Sequence, residues 1–191
     1  MSTILVLGVG NTLLSDEGVG IHALTRLQHR YPSLPDVRYL DGGTLSFTLA
    51  GPLQDADNLI VFDAANFDAK PGAVRCMVDD RMDGFLNTAK HSAHEVGLLD
   101  LMDIARLTNT LPVRRALIAI QPEIIDWGST LSDSVDRAVN RAVKLAYALI
   151  KQWAGTTISP GNTTGRGGSP PASAEVTAER VSAGNQKMLY E

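Results

Sequence analysis

The feature that most constrains the fold is a set of short, unbroken apolar runs, each followed at once by glycine or an acid. Leu59-Ile60-Val61-Phe62 has no polar position at all, and Asp63 follows it directly. A strand apolar on every residue must be covered on both faces, which is the habit of parallel sheets flanked by helices. Ile4-Leu5-Val6-Leu7 and Ala116 to Ile120 read the same way, and Val37 to Leu40 is a further strand. Between these runs the apolar period changes to three and four. Val19, Ala23, Leu24, Leu27 and Tyr31 predict a helix over about 18–31. A helix is expected near 45–53, and Leu98, Leu101, Met102 and Ala105 predict one over 95–107. Val135, Val139, Ala142, Ala146, Leu149 and Trp153 mark the strongest helix, behind the capping candidates Ser132 and Ser134.

Strand-like material at 73–79 follows the Pro71-Gly72 turn, and a short antiparallel strand is expected there. The order βαβαβ, then ββ-like material, then αβα implies an α/β three-layer sandwich. Its sheet is mainly parallel and twisted, with helices on both faces.

Residues 1–153 are read as a single α/β domain. Beyond it, Gly, Pro, Ser and Thr fill 18 of 38 positions, so 154–191 is read as a disordered tail. The formal charge of -4 argues against a protein built on phosphate contacts, so no nucleic-acid partner is expected. Cys76 is the single cysteine, which excludes an intramolecular disulfide and a thiolate metal cage. No apolar stretch approaches a membrane span and no secretory signal is seen, so a cytoplasmic protein without a membrane partner is expected.

In open α/β sheets ligands bind beyond the carboxyl ends of the strands. Those ends carry Asp16 and Glu17 after the first strand, Asp41 after the second, Asp63 after the third and Glu123 after the fifth. His94 begins the helix at 95 and is placed toward the same edge, with His91 three residues before it. Carboxylates with an imidazole suit a borderline divalent cation or acid–base chemistry. Bland roles compete. Asp16 and Glu17 precede a helix, where acids cap amides, and Asp41 before Gly42-Gly43 is a common turn acid. Asp63, directly after four buried residues, must be hydrogen-bonded or functional. Gly8-x-Gly10 opens like a dinucleotide fingerprint, but Leu13 stands where the third glycine should be. No phosphate loop, nucleophile elbow or His-Glu-x-x-His motif is present.

The stretch Ile4 to Gly20, containing Gly8-Val9-Gly10-Asn11-Thr12-Leu13-Leu14-Ser15-Asp16-Glu17-Gly18, resembles the opening motif of the nickel–iron hydrogenase maturation endopeptidases. Asp41-Gly42-Gly43-Thr44, Phe62-Asp63-Ala64, Lys90 to Leu98 and Ile120-Gln121-Pro122-Glu123 resemble the later motifs, in family order. The resemblance implies an endopeptidase that removes a C-terminal extension from the precursor of a hydrogenase large subunit after nickel insertion. It implies metal ligation by Glu17, Asp63 and His94, leaves His91 out, and makes Asp41 the candidate catalytic residue. Nickel is then supplied by the substrate, and Zn or Cd can substitute in vitro. A monomer is expected. Two other readings stay open: a nickel-dependent binding or quality-control module without proteolysis, and a nucleotide-binding oxidoreductase.

Overall fold

The computed structural model describes residues 2–44, 47–87 and 93–154, with side chains in the last segment described from Gly97 onward. His91 and the tail from 155 lie outside the described residues, and so does the side chain of His94.

Five strands form one sheet: β1 (Ile4–Gly8), β2 (Val37–Asp41), β3 (Asn58–Ala64), β4 (Val74–Val78) and β5 (Arg114–Ile120). Their spatial order is β2-β1-β3-β5-β4, with every pairing parallel except the antiparallel edge pair of β4 with β5. The antiparallel edge strand stands where the sequence places it. Helices α1 (Val19–Arg30), α2 (Ala50–Gln54), α3 (Asp80–Leu86), α4 (Ala93–Leu107) and α5 (Asp133–Ala154) connect or follow the strands.

The three layers follow from the period of two along each strand. Ile4, Val6, Ile60, Phe62, Ile118 and Ile120 turn to one face, where Leu24 and Leu27 of α1 and Val139, Ala142 and Leu149 of α5 cover them. Leu5, Leu7, Leu59, Val61, Leu117 and Ala119 turn to the other, under Leu53 of α2, Met82 of α3 and Leu98 and Met102 of α4. β1 and β3 are buried at every position, as their unbroken apolar runs require. Among the described residues no helix is long and apolar enough to cross a membrane.

Helix α1 lies within a residue of its expected bounds and follows a 3-10 turn over Ser15–Gly18. Two local readings need correction. Where a helix is expected near 45–53, the structure has a 3-10 turn, Phe47–Leu49, followed by the short α2, with Pro52 at its centre. The ββ-like stretch supplies one strand and then α3. Met82 and Leu86, four residues apart, both reach the core. Asp79 and Asp83 fix this helix to the sheet: Asp79 Oδ1 accepts the Arg115 amide at 2.9 Å, and Asp83 takes a two-pronged hydrogen bond from the Arg115 guanidinium. A buried arginine on β5 thus decides a helix far from it in sequence.

Cys76 is buried, and desolvation pushes its thiol up to about 12. It is an inert core residue, as a lone cysteine in a packed sheet is expected to be.

Candidate functional site

The connection from β1 runs through α1 to β2 on one face, and the return through α2 to β3 lies on the other. β1 and β3 therefore flank the point where the chain reverses direction across the sheet, the place where such sheets bind ligands. Glycines allow the helix start to settle onto this point. A Cβ on Gly20 would stand 2.1 Å from the Val9 carbonyl oxygen and 2.4 Å from that of Phe62. Gly10 has φ +139, and a Cβ there would stand 2.0 Å from the Glu17 carbonyl oxygen. No side chain fits either gap. The turn Ser15–Gly18 consequently packs against β3, which places Glu17 beside the strand that carries Asp63.

Asp63 has no exposed surface. It pairs with Ala119 of β5 and alternates with Leu59 and Val61, so it belongs to the face covered by α2, α3 and α4. α4 begins at Ala93, which puts His94 in the first turn of a helix on that same face. Glu17 is half-buried, with Oε2 shielded from solvent. Two carboxylates therefore stand on adjoining elements at the switch point, and the imidazole-bearing turn belongs to the layer toward which Asp63 lies. Among the described residues no three His, Cys, Asp or Glu side chains gather as a metal site, and the side chain of the third expected member, His94, lies outside the description.

Asp41 ends β2 and is exposed. Its register partner is Gly8, which in turn pairs with Phe62. Two strand spacings set it about 10 Å from β3. It follows Val37 and Tyr39, which pack toward α1 and α5, and so takes the face opposite Asp63. Its Oδ1 accepts the Gly43 amide at 2.8 Å, closing a turn in which Gly43 has φ +50.

Asp16 is the acid with the most completely described environment. It has no exposed surface. Its Oδ2 accepts the amides of Glu123 and Ile124 at 2.9 Å and the Ser132 hydroxyl at 2.8 Å, and its Oδ1 accepts the Ser132 amide at 2.7 Å. Burial pushes this carboxyl up, but the donors on Ile124, Ser132 and Glu123 outweigh it and hold the group below its ordinary 3.8. Asp16 caps amides, as its position before a helix suggests, but those of the distant loop after β5 rather than those of α1. Ser132 accepts the first helical amide, from Asp136, on its carbonyl, while its hydroxyl is given to Asp16. Gln121 braces the neighbouring loop: its Oε1 accepts the Phe67 amide at 3.0 Å, and its Nε2 donates to Asn66.

The backbone of the glycine-rich loop argues against a dinucleotide. Phosphate cradles need free amides. Here the amides of Val9, Gly10, Ser15, Asp16 and Glu17 donate to Phe62, Gly43, Gly128, Ile124 and Leu14 carbonyls, and Leu13 donates to Asn11 Oδ1. Most of the loop's amides are thus spent on the protein itself.

A family model described as hydrogenase maturation protease matches residues 21–149. The hydrogenase expression/formation protein HupD of Bradyrhizobium diazoefficiens is 37% identical over 157 residues, covering 82% of this chain and 81% of that protein. The chain belongs to the hydrogenase maturation protease family. The hydrogenase 2 maturation protease of Escherichia coli is 35% identical over 151 residues, 78% of this chain and 91% of its own length. The solved structure of the maturating endopeptidase HybD from Escherichia coli superposes with a TM-score of 0.75 at 31% identity, over 80% of this chain and 94% of that one. HybD from Thermococcus kodakarensis gives 0.67 at 30% identity, over 78% and 99%. The three-layer α/β fold expected from the sequence is the fold of these proteases.

What sequence reading missed in this maturation protease is the 124–131 stretch as a built part of the site's edge. The available signal was Ile124, Ile125 and Trp127, large apolar residues in a segment with neither helical nor strand period.

Proposed function

We propose that this protease removes a C-terminal extension from the precursor of a nickel–iron hydrogenase large subunit, and that Glu17, Asp63 and His94 recognise nickel carried in by that precursor. The reading rests on one observation above all. A fully buried carboxylate, Asp63, stands one residue before the end of the central strand β3, and the turn bearing Glu17 is packed against that strand through glycines that admit no side chain. A carboxylate held where water is scarce favours a cation that arrives with its own ligands, because the protein then completes a coordination sphere rather than building one. Three protein donors leave positions open for the substrate. Nickel is thus part of the substrate, and Zn or Cd would occupy the same donors in its absence. Cleavage is tied to metal loading because an unloaded precursor lacks the anchor.

Hydrolysis adds water across the scissile amide, so one group must take a proton from the water and the leaving nitrogen must gain one. The family resemblance makes Asp41 the candidate for the first task, although its place on β2 is two strands from β3 and on the face opposite Asp63. Its Oδ1 also closes the turn with Gly43, and the two roles separate in an Asp41→Asn variant, whose amide oxygen still accepts the Gly43 amide. Processing should fall at least tenfold in this variant with thermal stability unchanged; full activity would leave Asp41 a turn residue only. The protease is proposed to act in the cytoplasm as a monomer. Membership of a protease family favours cleavage over the alternative of a nickel-dependent binding module.

Intact-mass spectrometry of the large-subunit precursor, nickel-loaded and nickel-free, tests the whole reading. A single C-terminal mass loss in the loaded sample alone is expected. Loss in both would keep the protease and remove the metal gate. Binding without loss in either would favour the module.

A further inference from the structure

Seven large apolar side chains stand exposed among the described residues, and four of them, Leu13, Ile124, Ile125 and Trp127, lie on two loops that are bonded to each other. Trp127 is 81% exposed. Side chains exposed to this degree contribute little to folding where they stand. Yet the loop that displays them is held firmly. Gly128 donates its amide to the Leu13 carbonyl at 3.0 Å and accepts the Ser15 amide at 2.8 Å. The Ser15 hydroxyl donates to the Asp126 carbonyl at 3.0 Å. The Asp16 amide donates to Ile124, and the Asp16 carboxylate takes the amides of Glu123 and Ile124 in return. A display of this kind, apolar and pre-ordered, is what a polypeptide-binding surface needs, because little ordering entropy is left to lose on binding.

We infer that the Leu13, Ile124, Ile125 and Trp127 rim is the docking platform for the polypeptide substrate, and that it receives an apolar segment flanked by lysine or arginine. The inference rests on the protease reading and extends it. Two observations choose this occupant. The platform is continuous with the site: Leu13 and Leu14 run directly into the turn that carries Glu17, so a chain lying across the rim reaches the switch point. The loop also carries Glu123 and Asp126, Asp133 opens α5 directly after it, all three are exposed, and 121–133 holds no lysine or arginine. An acidic border around an apolar centre complements a basic border around an apolar segment. Asp16 acts here as a positioning residue, since it touches no substrate but fixes the loop that does.

The test compares the parent with an Ile125→Ser/Trp127→Ser double variant and with Asp126→Lys, using nickel-loaded large-subunit precursor. Equilibrium binding and processing are read separately. Because the replaced side chains are exposed, melting temperatures should hold within about 2 °C. The double variant should bind the precursor roughly 10- to 100-fold more weakly, as loss of a central aromatic anchor does, with the processing defect falling on KM rather than kcat. Asp126→Lys should weaken binding about threefold or more at low salt and less at high salt. Unchanged affinity in the double variant overturns the inference. So does a parent dimer that the double variant converts to a monomer with processing intact, which would give the rim to a second copy of this chain. A parent that binds but does not cut would overturn the protease reading, while the affinity ratio still decides the platform. A parent that neither binds nor cuts overturns both.

Discussion

Glu17→Gln and Asp63→Asn, each isosteric with the parent, should abolish processing while leaving the fold intact, and His94→Ala should do the same. The expected loss is on the order of 10³-fold or more, since a carboxylate directed at a metal contributes several kcal/mol that an amide does not. The amides keep shape and packing but carry no charge. Asp63 makes the sharper case because it is sealed from water on β3, between the turn that bears Glu17 and the strand β5. Removing its charge from a dry site should not lower the melting temperature by more than a few degrees. Intact-mass assays of the precursor read the activity, and calorimetry reads the fold. Full processing by a well-folded Glu17→Gln or Asp63→Asn variant would remove the substituted residue from the machinery. Both variants should also lose nickel-dependent affinity for the precursor, which separates recognition from a defect in the hydrolytic step.

Asp16→Ala should produce the largest loss of stability among the acids of this edge. Four donors converge on its carboxylate, and alanine leaves all of them without that acceptor. Allowing for water that enters in its place, the cost is about 3 kcal/mol. For a domain of this size that lowers Tm by roughly 10 °C. The pH dependence has a definite sign. The folded carboxyl lies below its ordinary value because the Ile124, Ser132 and Glu123 donors overcome desolvation. Its stabilisation is therefore complete above the unfolded pKa and is lost as pH falls through the folded one. The difference in unfolding free energy between parent and Asp16→Ala should be constant at neutral pH and shrink below about pH 4. Asp83, held low chiefly by its hydrogen bond from Arg115, titrates in the same region, and it cancels in that difference. A pH-independent gap down to the lowest measurable pH would show that the carboxylate charge is not what the loop needs.

The division between what was legible in the chain and what was not follows the range of the interactions. The strands, the three-layer architecture and the long helix α5 are written in local periodicity, because a buried strand must be apolar at every position and a half-buried helix must be apolar at every third or fourth. Lys90 to Leu98 and the other motifs carried the family. The acids that end the strands were visible because a charge after an apolar run is costly without a purpose. Helix α3 was not visible. Its place depends on Arg115 reaching Asp83 across the sheet, and nothing within Asp80–Leu86 announces that partner.

Asp16 and Asp41 show the same limit at the site. From their neighbours both look like turn or cap acids. Asp41 does close its own turn, through Gly43 two residues on. Asp16 instead binds residues more than a hundred positions away, and only the assembled sheet brings the segments after β1 and β5 near enough for one carboxylate to gather those amides. The sequence by itself determined the sheet, the helical layers and the set of acids at one edge, since each depends on short-range pattern and burial. Tertiary structure alone decided which face each acid takes, which of them braces a loop, and that Trp127 and Ile125 are held out toward solvent on a loop bonded to Ser15 and Asp16, since those outcomes depend on hydrogen bonds between segments that meet only once the chain has folded.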